Sequence, residues 1–393
     1  MIYITTKQPP RFHQITLDEI LNGEVDVSRF TEPTDTNTRT FVTESASYDL
    51  LKRFDIAQLV NILQAFNLRY KELIDADKTT LYRSYHIPKR TGGLRRIDEP
   101  SSELKEAQIC LRNIFQKQML ALYHTSAFAY VEGRSTVDAV RRHQRNESFW
   151  FGKIDFSDFF GSTTPDFVFK MITKIFPFSE IIKFTNGSKA LSTALSICFL
   201  NGGLPQGSPI SPMITNLMMI PIDHHLCNTL RKFDDYQKFA YGDEKQKTSL
   251  VYTRYADDIL VSSKYSFDMH KVVGLISSTL KYFDAPFKIN PKKTRYGSRA
   301  GRNWNLGVML NKDNEITIGH KKKKYFKAML SNYICDTLNG KKWSLHDVQV
   351  LLGDISYYRM IEKKYINHII SNYDEKYNVD VMSMIKDDIK NLV

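Results

Sequence analysis

Tyr255-Ala256-Asp257-Asp258 lies between two β-prone apolar runs, Leu250-Val251-Tyr252-Thr253-Arg254 and Ile259-Leu260-Val261-Ser262-Ser263. Such a pattern predicts a hairpin with the two carboxylates at its tip. Like charges held together at the end of buried strands repel and need compensation. A divalent cation supplies it, because hard Mg²⁺ takes oxygen ligands from one or two carboxylates together with substrate phosphates. The chemistry this suits is two-metal phosphoryl transfer. The same four residues also fit a plain polar turn, where Asp is common, so the pair alone does not decide.

Two further segments do. Lys153-Ile154-Asp155-Phe156-Ser157-Asp158-Phe159-Phe160 follows Phe149-Trp150-Phe151, so a hydrophobic strand delivers Asp155 at its end. Leu204-Pro205-Gln206-Gly207-Ser208-Pro209-Ile210-Ser211-Pro212 is a Gly/Pro-rich loop leading into an apolar helical run from Met213 to Ile220. Carboxylate strand, Pro-Gln-Gly loop and Tyr-X-Asp-Asp hairpin occur in the order found in reverse transcriptases. The chain resembles that family, and within it the bacterial single-chain enzymes: group II intron-like, retron and defence-associated. The resemblance covers roughly residues 80–365.

The resemblance implies an α+β right-hand polymerase. Its parts would be fingers, a palm of antiparallel sheet flanked by helices, and a helical thumb. The implied reaction is RNA-directed DNA synthesis from dNTPs on an RNA template, with two Mg²⁺ per active site or Mn²⁺ in their place. Asp155, Asp257 and Asp258 form the catalytic set. The backbone carbonyl of Phe156 is a further metal ligand, and Asp158 stands outside the ligand set. Phe160, five residues after Asp155, sits under the sugar of the incoming nucleotide, where a ring clashes with a ribose 2′-hydroxyl; Phe159 belongs to the core. Gln206 and Gly207 touch template and nucleotide, and Gly permits close backbone approach there. Lys89 and Arg95 flank the Thr91-Gly92-Gly93 turn beside Arg90 and Arg96 and grip nucleotide phosphates, as does Lys293 in Asn290-Pro291-Lys292-Lys293-Thr294. Tyr255 packs beside the primer terminus, or alternatively in the core. Leu306 and Gly307 hold the primer backbone. Lys321, Lys322, Lys323 and Lys324 open the thumb and track phosphates.

These residues need elements to position them. Residues 1–79 read as an irregular extension to about residue 45, followed by helices carrying Leu50, Phe54, Leu59, Ile62, Leu63 and Phe66 at helical spacing. Residues 80–150 are the fingers, with strands Tyr82–Pro88 and Leu94–Ile97 and an amphipathic helix over Leu104–Leu122. Residues 151–300 form the palm with part of the fingers. They contain helical runs over Asp166–Ile175, Ser188–Phe199 and Met269–Phe283, and a charged excursion over Lys232–Lys247. Residues 301–320 form a primer-grip hairpin, and 321–393 the thumb, with Ser344 as an N-cap and Gly353 marking either a close helix approach or a break.

Composition agrees. The 393 residues suffice for two or three domains, and 42% hydrophobic with 25% charged residues is ordinary globular usage. A net charge of +12 points to a polyanionic partner. Cys110, Cys198, Cys227 and Cys335 form no CxxC pair, which argues against a zinc site and fits a reducing cytoplasm. No signal-peptide pattern and no bilayer-length apolar run is present, so a cytoplasmic enzyme without membrane partners is expected.

Departures from the family patterns narrow the class. Gly133-Arg134-Ser135-Thr136 looks group II intron-like, yet about seventy residues after the primer grip leave little room for a maturase or nuclease domain. Retrons usually carry Asn-Ala-X-X-His and Val-Thr-Gly elements, where this chain has Asp138-Ala139-Val140-Arg141-Arg142-His143 and Asn305-Leu306-Gly307. These favour a stand-alone, defence-associated enzyme copying a dedicated non-coding RNA over a retron enzyme making branched RNA–DNA. An effector protein or a homo-oligomer is left open as partner. An RNA-dependent RNA polymerase and a silent RNA-binding scaffold are the alternatives from other classes.

Overall fold

A computed structural model describes residues 56–89, 92–119, 123–233, 250–299 and 307–392. The expected N-terminal extension, Leu50, Phe54, Arg90, most of the Lys232–Lys247 excursion, Asn305 and Leu306 lie outside them. The strands are β1 (Tyr82–Pro88), β2 (Leu94–Pro100), β3 (Trp150–Ser157), β4 (Val251–Tyr255), β5 (Asp258–Ser263), β6 (Lys288–Ile289), β7 (Arg295–Ser298), β8 (Met309–Leu310) and β9 (Ile316–Thr317). β1 and β2 form the finger hairpin, β8 and β9 a second short hairpin, and the remainder one five-stranded antiparallel sheet.

In that sheet β4, β5 and β3 lie side by side, and the far edge of β3 is shared. β6 pairs with its Asp155 end, at Phe156 and Ser157, while β7 pairs with Trp150 to Lys153. β7 was not anticipated. Arg295-Tyr296-Gly297-Ser298 has neither apolar alternation nor β-branched residues, and the partner strand, not propensity, makes it a strand.

Register sorts the side chains. Asp155 faces Asp258, Lys153 faces Leu260 and Phe151 faces Ser262, while Thr253 and Tyr255 of β4 face Leu260 and Asp258. Because alternate residues share a face, one face carries Phe151, Lys153, Asp155, Asp258, Leu260, Thr253 and Tyr255. The other carries Ile154, Phe156, Ile259, Val261, Tyr252 and Arg254.

The second face is fully covered. Ile154, Phe156, Ile259 and Val261 join a buried cluster that includes Leu63, Leu111, Phe178 and Leu217. The Ile56–Arg69 and Ser102–Met119 helices therefore share one core with the sheet. The first face is covered only at one end, where Val137, Val140, Phe151, Leu260, Val308 and Leu310 pack together. At its other end Asp155 is buried beneath Lys293, while Tyr255, Asp257 and Asp258 are half-buried. The thumb helices His320–Leu338, Leu345–Tyr377 and Val381–Leu392 bury a core of their own around Phe326, Leu330, Tyr333, Leu351, Ile355 and Ile369.

The helix expectations hold with shifted ends: Ser102–Met119, Pro165–Ile172, Gly187–Leu195 and Met269–Tyr282. Gly353 neither breaks the Leu345–Tyr377 helix nor lets a neighbour approach, since a Cβ there meets nothing within 4 Å. The irregularity in that helix falls instead at Glu362 (φ −132°, ψ 61°).

The Thr136–Arg145 helix starts with a capping box in which Ser135 and Asp138 satisfy each other's backbone N–H groups. It buries His143, whose ring nitrogens contact Ser262 Oγ and Thr253 Oγ1, the latter at 2.8 Å. Burial, and secondarily Arg142, lowers the His143 pKa from 6.5 to about 3. Below pH 6.5 the unfolded chain takes a proton that folded His143 refuses, so stability falls as pH drops toward 3. His143→Asn should cost about 1–3 kcal/mol at pH 7 through lost buried hydrogen bonds. It should also flatten the decline between pH 6.5 and about 5, as read by urea unfolding of both proteins at each pH.

Candidate active site

The hairpin turn that presents the acidic pair is two residues long, because Tyr255 pairs directly with Asp258. Ala256 takes φ 57°, a left-handed conformation that glycine usually fills. What holds it lies beneath the sheet. Arg254, fully buried, donates from Nε and Nη2 to Asp223 at 2.9 and 2.8 Å, from Nη2 to Asn216 Oδ1 at 3.2 Å, and from Nη1 to Ala256 O at 3.2 Å. Tyr252 Oη donates to Asp223 at 2.6 Å. Asp223 and Asn216 belong to the Ser211–Arg231 helix, most of whose residues are buried. This network was missed at sequence level, although its signal was present: one lone acid in the apolar run after the Pro-Gln-Gly loop, and one Arg just before the Asp-Asp pair.

On the first face, Asp155 and Asp258 are each met by a lysine. Lys293 Nζ donates to both oxygens of Asp155 at 2.9 and 3.1 Å, and Lys153 Nζ donates to Asp258 Oδ2 at 2.8 Å. Lys293 is held more strongly protonated than usual, first by its hydrogen bond to Asp155. Asp257 is held above the usual carboxylate range, first by burial, then by Asp258 and Asp155. Lys153 is an unanticipated member. It precedes Asp155 by two residues and so shares its face, a spacing that was legible in Lys153-Ile154-Asp155.

Among the described residues no three His, Cys, Asp or Glu side chains converge as a ready-made metal cage. Asp155 and Asp258 are instead paired with ammonium groups. The donor set still suits Mg²⁺, which keeps several waters and takes only one or two carboxylates beside substrate phosphates.

The surrounding pieces are tied to this face by backbone. Leu204 N donates to Phe160 O at 3.0 Å. Gly203 and Gly161 touch so closely that a Cβ on Gly203 would lie 2.2 Å from Gly161 O. Asp98 N of β2 donates to Gln206 O at 2.7 Å, and a Cβ on Gly207, at φ 133°, would lie 2.6 Å from Asp98 O. The Pro-Gln-Gly loop is thus clamped between palm and fingers, and both contacts require glycine. Phe160 is half-buried beside this loop, while Phe159 is buried and contacts Phe156 and Phe287. Asp158 is exposed, leaves β3 at φ 47° and lays its carboxylate over Gly161.

Lys89 and Arg95 are exposed on the finger hairpin, whose turn is closed by Lys89 N donating to Gly93 O at 2.9 Å. Arg96, by contrast, is engaged with Asp98 at 2.7 Å. Gly307 O accepts from Lys322 Nζ at 3.0 Å. Lys323 bonds Glu362 at 2.6 Å. Of the four thumb lysines, Lys321 and Lys324 remain exposed.

The family described as reverse transcriptase (RNA-dependent DNA polymerase) matches residues 87–326. The chain belongs to that family. It is an RNA-directed DNA polymerase, a nucleotidyltransferase that copies an RNA template. Retron Ec83 reverse transcriptase of Escherichia coli is 27% identical over 316 residues, covering 77% of this chain and 90% of that protein. Retron Ec73 reverse transcriptase of Escherichia coli is 29% identical over 296 residues, covering 73% and 88%. Apo telomerase from Candida tropicalis superposes with a TM-score of 0.43 at 12% identity, over 79% of this chain and 62% of that one, too loosely to carry argument. The departures at Asp138 and Asn305 therefore do not separate this reverse transcriptase from retron enzymes. At Asp138 the reason is physical, since an aspartate completes the capping box there. No helix among the described residues is long and apolar enough to cross a membrane.

The Arg254–Asp223 pair should behave as a buried ion pair whose loss strands a charge. Asp223→Asn is expected to cost about 3–5 kcal/mol in denaturant unfolding and to lower polymerase activity beyond what the unfolded fraction explains, because the Ala256 turn loses its anchor.

Proposed function

We propose that this reverse transcriptase copies a dedicated structured RNA into DNA by two-metal phosphoryl transfer and works in bacterial antiphage defence, as a retron-type enzyme. The observation that carries the catalytic part is the sheet face on which Asp155 stands opposite Asp258 beside Tyr255, with Asp257 in the adjoining turn. The RNA part is supported by the likeness to retron reverse transcriptases and by the net charge of +12.

On this reading Asp155 and Asp257, completed by Asp258 and the Phe156 carbonyl, hold two Mg²⁺. Bound there, the cations would activate the primer 3′-hydroxyl and stabilise the leaving pyrophosphate. The chain's own residues position the reactants. Lys89, Arg95 and Lys293 take the triphosphate, with Lys293 already poised on Asp155. Phe160 closes the space beside the sugar, excluding ribonucleotides. Gln206 and Gly207, fixed between fingers and palm, support the templating pair. Tyr255 and Gly307 contact the primer strand, and Lys321 and Lys324 follow its phosphates.

Asp257→Asn tests the metal assignment. It should reduce Mg²⁺-dependent extension by more than the ten- to hundredfold typical of an outer-shell change. It should also raise the melting temperature of the metal-free protein, since one of three mutually repelling carboxylates becomes neutral. Undiminished extension by this variant would remove Asp257 from the site.

The dedicated-RNA reading is tested by crosslinking the protein in cells that carry its native genomic neighbourhood. One RNA from the adjoining locus should be enriched, and it should be covalently or base-pair linked to newly made DNA. A recovered profile that tracks cellular RNA abundance leaves a general polymerase.

A further inference from the structure

Tyr130 stands at the rim of this site, and none of the roles above uses it. It belongs to a run, Tyr123 to Arg134, that is fastened to the catalytic hairpin. Arg254 N donates to Ser126 O at 2.7 Å, Phe128 N donates to Arg254 O at 2.9 Å, and Ala127 bridges Arg254 in parallel register. Arg134 braces the run internally, donating to His124 O and Ala127 O at 2.7 and 2.8 Å. Asn216 Nδ2 donates to Ala129 O at 2.7 Å, and its Oδ1 accepts from Arg254, which also reaches Ala256 O. The carbonyl before Tyr130 and the carbonyl before Asp257 thus hang on one Asn–Arg pair.

The residue itself is unusual. Its backbone is left-handed (φ 60°), which is costly for a bulky side chain. Despite that rigid mounting the side chain is 50% exposed. Asp257, Tyr255 and Arg95 all lie within electrostatic reach of its hydroxyl. A rigidly held, strained, exposed aromatic next to a reaction centre is placed for a ligand.

The fold says which part of the ligand. β4 is the edge strand, and the Ser126–Phe128 run continues the sheet outward beyond it. Arg95 places Tyr130 on the fingers side, whereas Gly307 and Lys322 join the second hairpin to the thumb. With the primer strand on the thumb side, the strand that meets Tyr130 is the template. An A-form duplex displays its 2′-hydroxyls in a wide, shallow minor groove, and that hydroxyl is the group that distinguishes RNA from DNA. A phenol can both donate to it and accept from it.

We propose that Tyr130 is a positioning residue that hydrogen-bonds a template ribose 2′-hydroxyl beside the primer terminus and so favours RNA over DNA as template. This rests on the placement of the primer terminus at Asp155 and Asp257. The test is primer extension on one template sequence made as RNA, as 2′-fluoro RNA and as DNA, by the full-length wild type and by Tyr130→Phe, which keeps the ring. The RNA-to-DNA ratio of kcat/KM should fall about three- to tenfold in the variant, the worth of one neutral hydrogen bond, with the loss mainly in KM. The 2′-fluoro template, A-form but lacking the hydroxyl, should penalise the wild type and not the variant. An unchanged ratio, whether activity on both templates holds or falls together, overturns the proposal. Full extension by Asp257→Asn in the same assay overturns the site placement beneath it, and the proposal with it.

Discussion

A guanidinium and a carboxylate with no solvent exposure, Arg254 and Asp223, hold the active face in place. Removing two charges from water costs several kcal/mol per ion, and only complete pairing offsets it. Here the pairing extends beyond the ion pair to Tyr252, Asn216 and the Ala256 carbonyl. Apolar residues of similar size would stabilise a core as well, but they could not fix the turn, the helix and the Tyr123–Arg134 run to one point. Hydrogen bonds have direction, and the catalytic turn needs direction more than it needs stability.

The opposite face of the same sheet solves a different electrostatic problem. Asp155, Asp257 and Asp258 crowd at one end of three strands, and burial pushes Asp257 further toward its neutral form. Two lysines temper this, Lys153 on β3 itself and Lys293 just past β6. Cations held by these carboxylates would compete with Lys293 for the Asp155 oxygens it now holds, and Lys293 would then be free to meet a phosphate. A lysine suits this better than an arginine, since a flexible point charge can move between partners whereas a bidentate fork is slower to give one up.

Much of this was legible in the sequence because it follows local rules. The β-prone apolar runs on either side of Tyr255-Ala256-Asp257-Asp258 predict the hairpin, and the Gly and Pro residues predict the loop at Gln206 and Gly207. What escaped depends on partners distant in sequence. β7 is a strand because β3 offers an edge, not because Arg295-Tyr296-Gly297-Ser298 prefers one. Asp223 finds its role only in meeting Arg254, 31 residues away. Gly161 and Gly203 matter because two backbones touch, which no single segment reveals. The Ile56–Arg69 and Ser102–Met119 helices bring Leu63 and Leu111 into one buried cluster with the sheet strands, which no single segment reveals either.

The thumb shows how geometry divides a uniform charge run. On a helix successive residues turn by 100°, so Lys321 and Lys324 share one side while Lys322 and Lys323 take the other. The second pair faces inward, one to the Gly307 carbonyl and one to Glu362. Glu362 interrupts the Leu345–Tyr377 helix, and its other oxygen accepts from Ile318 N at 2.8 Å and Thr317 Oγ1 at 3.0 Å. One carboxylate thereby joins β9, the Lys323 helix and the long thumb helix. The departure from helical geometry falls at the same residue that makes these contacts. Half of the lysine run therefore anchors the first thumb helix to Gly307 and Glu362, and the other half, Lys321 and Lys324, is exposed.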